Sequence, residues 1–135
     1  MRSPSTFHHV TLSVTDLPRS VDWYERVLGM AKVADREGPT WTRALMRSDG
    51  GLVISLTAHE GTPGGRFDEQ RVGLDHLSIA CGDRAEVEAW ERHLNELGVE
   101  HGELVDAGYG HVLTSRDPDG IPVEFFAPVA QSSTD

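Results

Sequence analysis

The sequence predicts an α+β fold built from two βαβββ modules, and three observations carry that prediction. The stretch HVTLSVTD, beginning at His9, returns as HLSIACGD at His76, 67 residues later, each opening on histidine and closing on aspartate. A helix-period apolar stripe follows each stretch and ends at a glycine. RSDGGLVISLT and SRDPDGIPVEFF then superpose at an offset of 69, each placing Asp and Gly in a turn before a last strand. The modules are expected over residues 1–66 and 67–135, linked by the Gly/Pro-rich segment from Glu60 to Gly73. A module of about 60 residues buries little core alone, so the two are expected to pair into one compact domain with a mixed sheet.

Each element has its own signal. The opening strands alternate, with Val10, Leu12 and Val14 on one face and Leu77, Ile79 and Cys81 in the repeat. Asp16 and Asp83 are suited to cap the helices that follow, and Glu86 completes a capping box with Asp83. The first helix carries Leu17, Val21, Tyr24 and Leu28, admits Pro18 in its first turn and ends at Gly29. The second carries Val87, Trp90, Leu94 and Leu97 and ends at Gly98. Trp23 and Trp90 stand at equal distances from His9 and His76 and are expected to pack helix against sheet. Further strands are expected at Ala31–Ala34, Trp41–Met46 and Leu52–Ala58, then at His101–Val105, His111–Ser115 and Val123–Ala127. RSPST near the start and QSSTD at the end read as polar tails.

Composition bounds the function. Twelve basic against twenty-two acidic residues give a formal charge of −10, which repels nucleic-acid phosphates and anionic membrane surfaces alike. No apolar run approaches the ~20 residues that span a bilayer, and the first residues lack the apolar stretch of a secretion signal. The single cysteine, Cys81, excludes an internal disulfide framework and suits a reducing cytoplasm. The expected partner is therefore a small molecule, with no nucleic acid and no membrane.

Strand alternation sorts the polar residues. His9, Thr11 and Ser13 share one face of the first strand, and His76, Ser78 and Ala80 share the corresponding face of its repeat. In the closing strands Ser55 occupies the position that Glu124 holds in the second module. The repeat thus relates four positions, His9, Ser55, His76 and Glu124, which converge if the sheets curve around a common cleft. Two imidazoles and a carboxylate leave coordination positions open, as a catalytic metal site requires. No local chelating motif such as HExxH or CxxC is present.

The stretches HHVTLSVTDLPRSVDWYERVLGM, GLDHLSIAC and RDPDGIPVEFF resemble the vicinal oxygen chelate superfamily over roughly His9 to Pro128. That group includes glyoxalase I, fosfomycin-resistance thiol transferases, extradiol dioxygenases, methylmalonyl-CoA epimerase and bleomycin-resistance proteins. The resemblance implies an open, U-shaped sheet around a central cleft and places His9, His76 and Glu124 on the family's metal-ligand positions. Glyoxalase I would have a glutamate, and the epimerase a glutamine, where this chain has Ser55. Thr11 matches a threonine of the fosfomycin-type enzymes, but FFAPVAQSSTD lacks the cations that would hold a phosphonate. Thr114 stands where extradiol dioxygenases carry a tyrosine. Bleomycin-type members usually lack the ligands that this chain keeps.

The function expected is that of a glyoxalase/dioxygenase-family metalloenzyme, of lyase, isomerase, transferase or dioxygenase type. One divalent ion (Fe, Mn, Ni or Zn) at His9, His76 and Glu124 would act as a Lewis acid or oxygen-activating centre on a small oxygenated substrate. His111 and Tyr109, in GYGHV, are candidate catalytic residues at a cleft rim. Thr11, Trp41 and Arg43 are candidate substrate-binding residues, Arg43 being suited either to a substrate carboxylate or to a surface salt bridge. His8 is expected on the face opposite His9, Cys81 in the core, and His59, His93 and His101 at the surface. The alternative is a bleomycin-resistance-like protein that binds a small molecule in the same cleft without catalysis. A homodimer is expected.

Overall fold

The computed structural model describes residues 1–130; QSSTD, read above as a tail, lies outside them. Two helices and two four-stranded mixed sheets run in the order β1 (Val10–Ser13), α1 (Leu17–Leu28), β2 (Ala31–Glu37), β3 (Trp41–Arg47), β4 (Val53–His59), β5 (Leu77–Ala80), α2 (Arg84–Leu97), β6 (Val105–Asp106), β7 (Gly110–Arg116) and β8 (Pro122–Pro128). The chain divides into two compact units, Met1–Gly65 and a second beginning at Arg66. Each is βαβββ, as the repeat predicts. Among the described residues no helix is long and apolar enough to cross a membrane.

In the first unit the strand order is β1-β4-β3-β2, with β1 parallel to β4 and the other pairs antiparallel. Leu12, Val14, Ala44, Met46, Ile54 and Leu56 are buried, and alternation sets them together on one sheet face. Asp16 caps α1 by accepting from the Arg19 N–H at 3.2 Å, Pro18 sits in the first turn, and Gly29 closes the helix in a left-handed conformation (φ 65°).

The inward stripe of α1 differs from expectation. Ser20, Trp23, Tyr24 and Val27 are buried, whereas Leu17, Val21 and Leu28 are only half-buried at the flanks. The helix has turned its smallest residue inward. Ser20 leaves room for the helix to approach the sheet, and its Oγ is buried without a hydrogen-bond partner. An apolar-only stripe misses this because close approach depends on size as much as polarity.

The second unit repeats the arrangement as β5-β8-β7-β6, with β5 parallel to β8. Asp83 caps α2 by accepting from the Glu86 N–H at 3.0 Å, while the Glu86 carboxylate reaches back to the Gly82 N–H instead of that of Asp83. Trp90 stacks on Phe125 at 4.4 Å between ring centroids, the helix-to-sheet contact expected of it.

The strand expected at His101–Val105 is mostly absent. His101 forms a single bridge to Ser115, and only Val105–Asp106 pairs as β6. The His101 ring pairs with Asn95 Oδ1 and the Gly102 carbonyl, each at 2.7 Å, and so ties the segment to α2. Asp106 then accepts from the Gly108 N–H at 3.0 Å and turns the chain back.

The turn before β8 is tightly satisfied. Buried Asp117 accepts from the Asp119 and Ile121 N–H groups, both at 2.9 Å. Gly120 there has φ 86° and lies so near Arg66 that a Cβ would fall 2.9 Å from the guanidinium.

Candidate functional site

In β8, Val123, Phe125 and Ala127 alternate with Glu124 and Phe126. Because Trp90 of α2 stacks on Phe125, Glu124 and Phe126 occupy the face turned away from that helix. Glu124 is in register with Ser78 on one side and Thr114 on the other. His76 immediately precedes β5, and its Nε2 lies 3.0 Å from Glu124 Oε2. The Ser78 hydroxyl donates to the other carboxylate oxygen at 3.3 Å. On the far side of the imidazole, Nδ1 lies 2.7 Å from Asp75 Oδ1. The Glu124 side chain is 16% exposed and that of His76 41%, so the carboxylate is sheltered while the ring edge meets solvent.

The first unit repeats part of this. His9 immediately precedes β1, and its Nδ1 lies 2.8 Å from Nδ1 of His8, the rings meeting edge-on. His8 is therefore engaged with His9 and not turned away from it. Both precede β1, so strand alternation does not govern them. In each unit the residue before the histidine holds Nδ1, which leaves Nε2 to face a partner. Ser55 is buried at 4% exposure and in register with Thr11, just as Glu124 is in register with Ser78. Within neither unit do three or more His, Cys, Asp or Glu side chains among the described residues form a metal-ligating group.

The other candidates fall into distinct places. Thr11 is exposed on β1. Arg43 donates through Nε to Thr57 Oγ1 at 2.8 Å, and its guanidinium lies over the Trp41 ring at 4.3 Å. Tyr109 is exposed and stacks on Phe126, which shares its face with Glu124. His111 is in register with Ala127, on the α2 side of the sheet, and its Nδ1 is buried without a partner. The second unit thus brings His76 and Glu124 together and sets His111 on the opposite face. Cys81 is buried as expected. Burial, and then the charges of Glu86 and Asp83, push its thiol pKa up, as befits an unreactive core residue.

Sequence reasoning passed over Asp75, Ser78 and Thr57 as partners. Asp75 was legible, since a carboxylate directly before a histidine is a ready partner for Nδ1. Thr57 needed the β3–β4 register, which pairs it with Arg43.

The family model for the glyoxalase/bleomycin resistance protein/dioxygenase superfamily matches residues 6–125, and the chain belongs to that superfamily. It is 31% identical over 123 residues to the lactoylglutathione lyase of Escherichia coli O157:H7, covering 86% of this chain and 87% of the relative. It is 27% identical over 132 residues to the metallothiol transferase FosB of Staphylococcus saprophyticus subsp. saprophyticus, covering 96% of this chain and 82% of that protein. Among solved structures, a glyoxylase/bleomycin resistance protein/dioxygenase domain from Frankia sp. EAN1pec superposes with a TM-score of 0.88 at 32% identity, covering 96% of each chain.

Proposed function

We propose that the chain is a metal-dependent enzyme that holds one divalent ion through His9, His76 and Glu124 and acts on a small oxygenated substrate. The observation that carries this reading is the His76–Glu124 pair. An imidazole nitrogen and a sheltered carboxylate converge at 3.0 Å, and the other ring nitrogen is already engaged by Asp75. That donor set suits Fe, Mn, Ni or Zn. His9 joins it by the repeat, standing before β1 as His76 stands before β5. A divalent ion bound there supplies Lewis-acid polarisation of adjacent substrate oxygens.

The chain's own residues prepare the donors. Asp75 holds the His76 ring by Nδ1, and Ser78 fixes one oxygen of Glu124, so both donors are oriented before any ligand arrives. Tyr109 stacks on Phe126, which shares its sheet face with Glu124. His111, on the α2 side, is not assigned a catalytic role in this reading. The two relatives are named as a lyase and a transferase, which supports those reaction types for this chain. Ser55 departs from the four-donor pattern of glyoxalase I and leaves three donors. The protein is read as a homodimer, which sedimentation would test.

The test is elemental analysis of protein purified without a metal-affinity tag, beside His76→Ala and Glu124→Ala. Near one metal per chain, lost in both variants while circular dichroism is unchanged, is expected. Metal-free protein that also refuses Mn, Ni, Zn and Fe(II) on reconstitution would leave the ligand-sequestering alternative.

A further inference from the structure

We infer that Arg43 is the centre of an anion-binding site that takes the carboxylate of a small monoanionic ligand. The site lies within the first unit and is prepared on three sides. Trp41 packs against Gly38, where a Cβ would fall 2.4 Å from the indole, so glycine is what admits the ring there. The Arg43 guanidinium lies over that ring at 4.3 Å, a cation–π contact. At one edge Nε donates to Thr57 Oγ1 at 2.8 Å, and Thr57 is itself buried at 1% exposure.

With Nε committed, the guanidinium keeps its terminal edge, where Nη1 and Nη2 present two parallel N–H donors. That edge matches the two oxygens of a carboxylate. Among the described residues Arg43 has no carboxylate partner, so the surface ion pair considered from the sequence is not formed. A second observation points the same way. The β2–β3 register sets Arg36 directly opposite Arg43, and Arg36 also lacks a carboxylate partner, its Nη1 donating only to the Asp35 carbonyl. Like charges directly opposite across a strand pair destabilise it unless something neutralises them. An anion between them would do so. The formal charge of −10 opposes multiply charged ligands, which favours a monoanion over phosphate.

This deepens the proposed function, resting on the reading that the chain acts on a small oxygenated substrate. Its test is independent of the metal. Metal-free protein labelled with ¹⁵N is titrated with propionate, with propionamide as the neutral isostere and with inorganic phosphate, while the Arg Nε–H and Trp41 indole N–H signals are followed. The expected result is a saturable shift of both signals with propionate, none with propionamide, and phosphate weaker than propionate. Arg43→Gln should abolish the shift with the amide spectrum otherwise unchanged. Thr57→Val should weaken binding about tenfold, as befits loss of one charge-assisted hydrogen bond that orients the guanidinium. Absence of a saturable propionate shift, an equal shift in Arg43→Gln, or tighter binding of phosphate would overturn the assignment. Metal content measured on the same wild-type protein reports on the metal site separately, so either reading can fail alone.

Discussion

His76 bridges two carboxylates: its Nε2 lies 3.0 Å from Glu124 Oε2 and its Nδ1 lies 2.7 Å from Asp75 Oδ1. The two contacts are unequal in setting, since the side chain of Asp75 is 69% exposed and that of Glu124 only 16%. Glu124 is therefore the sheltered carboxylate and Asp75 the outer one. At the proposed metal site, Asp75→Asn should lower metal affinity about 10- to 100-fold without changing the fold. Competition against a chelator of known affinity measures it. Unchanged affinity would show that the ring needs no such guide.

Arg116 anchors the start of the second unit. Its Nη2 and Nη1 donate to Glu69 at 2.7 and 3.2 Å, and Nη1 also donates to the Gly120 carbonyl at 2.8 Å. The Arg116 hydrogen bonds pull the Glu69 pKa down to about 2. A lowered folded-state pKa means that this contribution is complete above the usual glutamate value of about 4.3. It is lost as pH falls from there toward 2. Wild type should accordingly be more stable than Glu69→Gln near neutrality, with the gap closing across that acidic window. Urea midpoints at several pH values report the gap, and a gap that is constant with pH would contradict the assignment.

Adjacent phenylalanines on β8 should behave differently. Phe125 is fully buried beneath Trp90, whereas Phe126 is half-buried on the other face against Tyr109. Phe125→Ala should cost about 3–5 kcal/mol of stability, from lost transfer energy and the cavity left behind. Phe126→Ala should cost clearly less. Equilibrium unfolding of both variants decides it, and equal losses would mean that the two faces are packed alike.

The turn leading into β8 rests on Asp117, whose Oδ1 accepts from two backbone N–H groups while the residue is 3% exposed. Removing that oxygen orphans two donors in a poorly solvated turn. Asp117→Ala should destabilise by about 1–3 kcal/mol per donor left unpaired. Because the turn sets the strand that carries Glu124, affinity at the proposed metal site should fall as well. Thermal unfolding and a metal titration together test this.

Much of this was readable from the residues alone. Repetition of HVTLSVTD as HLSIACGD, with caps at Asp16 and Asp83 and closing glycines at 29 and 98, is local chemistry, and both units are built as it implies. The equivalence of Ser55 and Glu124 also held, in the registers Thr11–Ser55 and Ser78–Glu124. The inward face of α1 was less legible, because Ser20 enters the core through its small size. The strand expected at His101–Val105 was lost to side-chain bonds that no alternation pattern reveals.

By itself, then, the sequence determined the two-module plan, most of its elements and which polar residues share a strand face, because caps, glycine turns and alternation act over a few neighbouring residues. Only the tertiary structure decided which of those residues meet. Alternation assigns faces within a strand, but hydrogen-bond register sets the phase between strands. Register therefore placed His111 with Ala127 and Thr57 with Arg43, and folding of the second unit closed His76 onto Glu124.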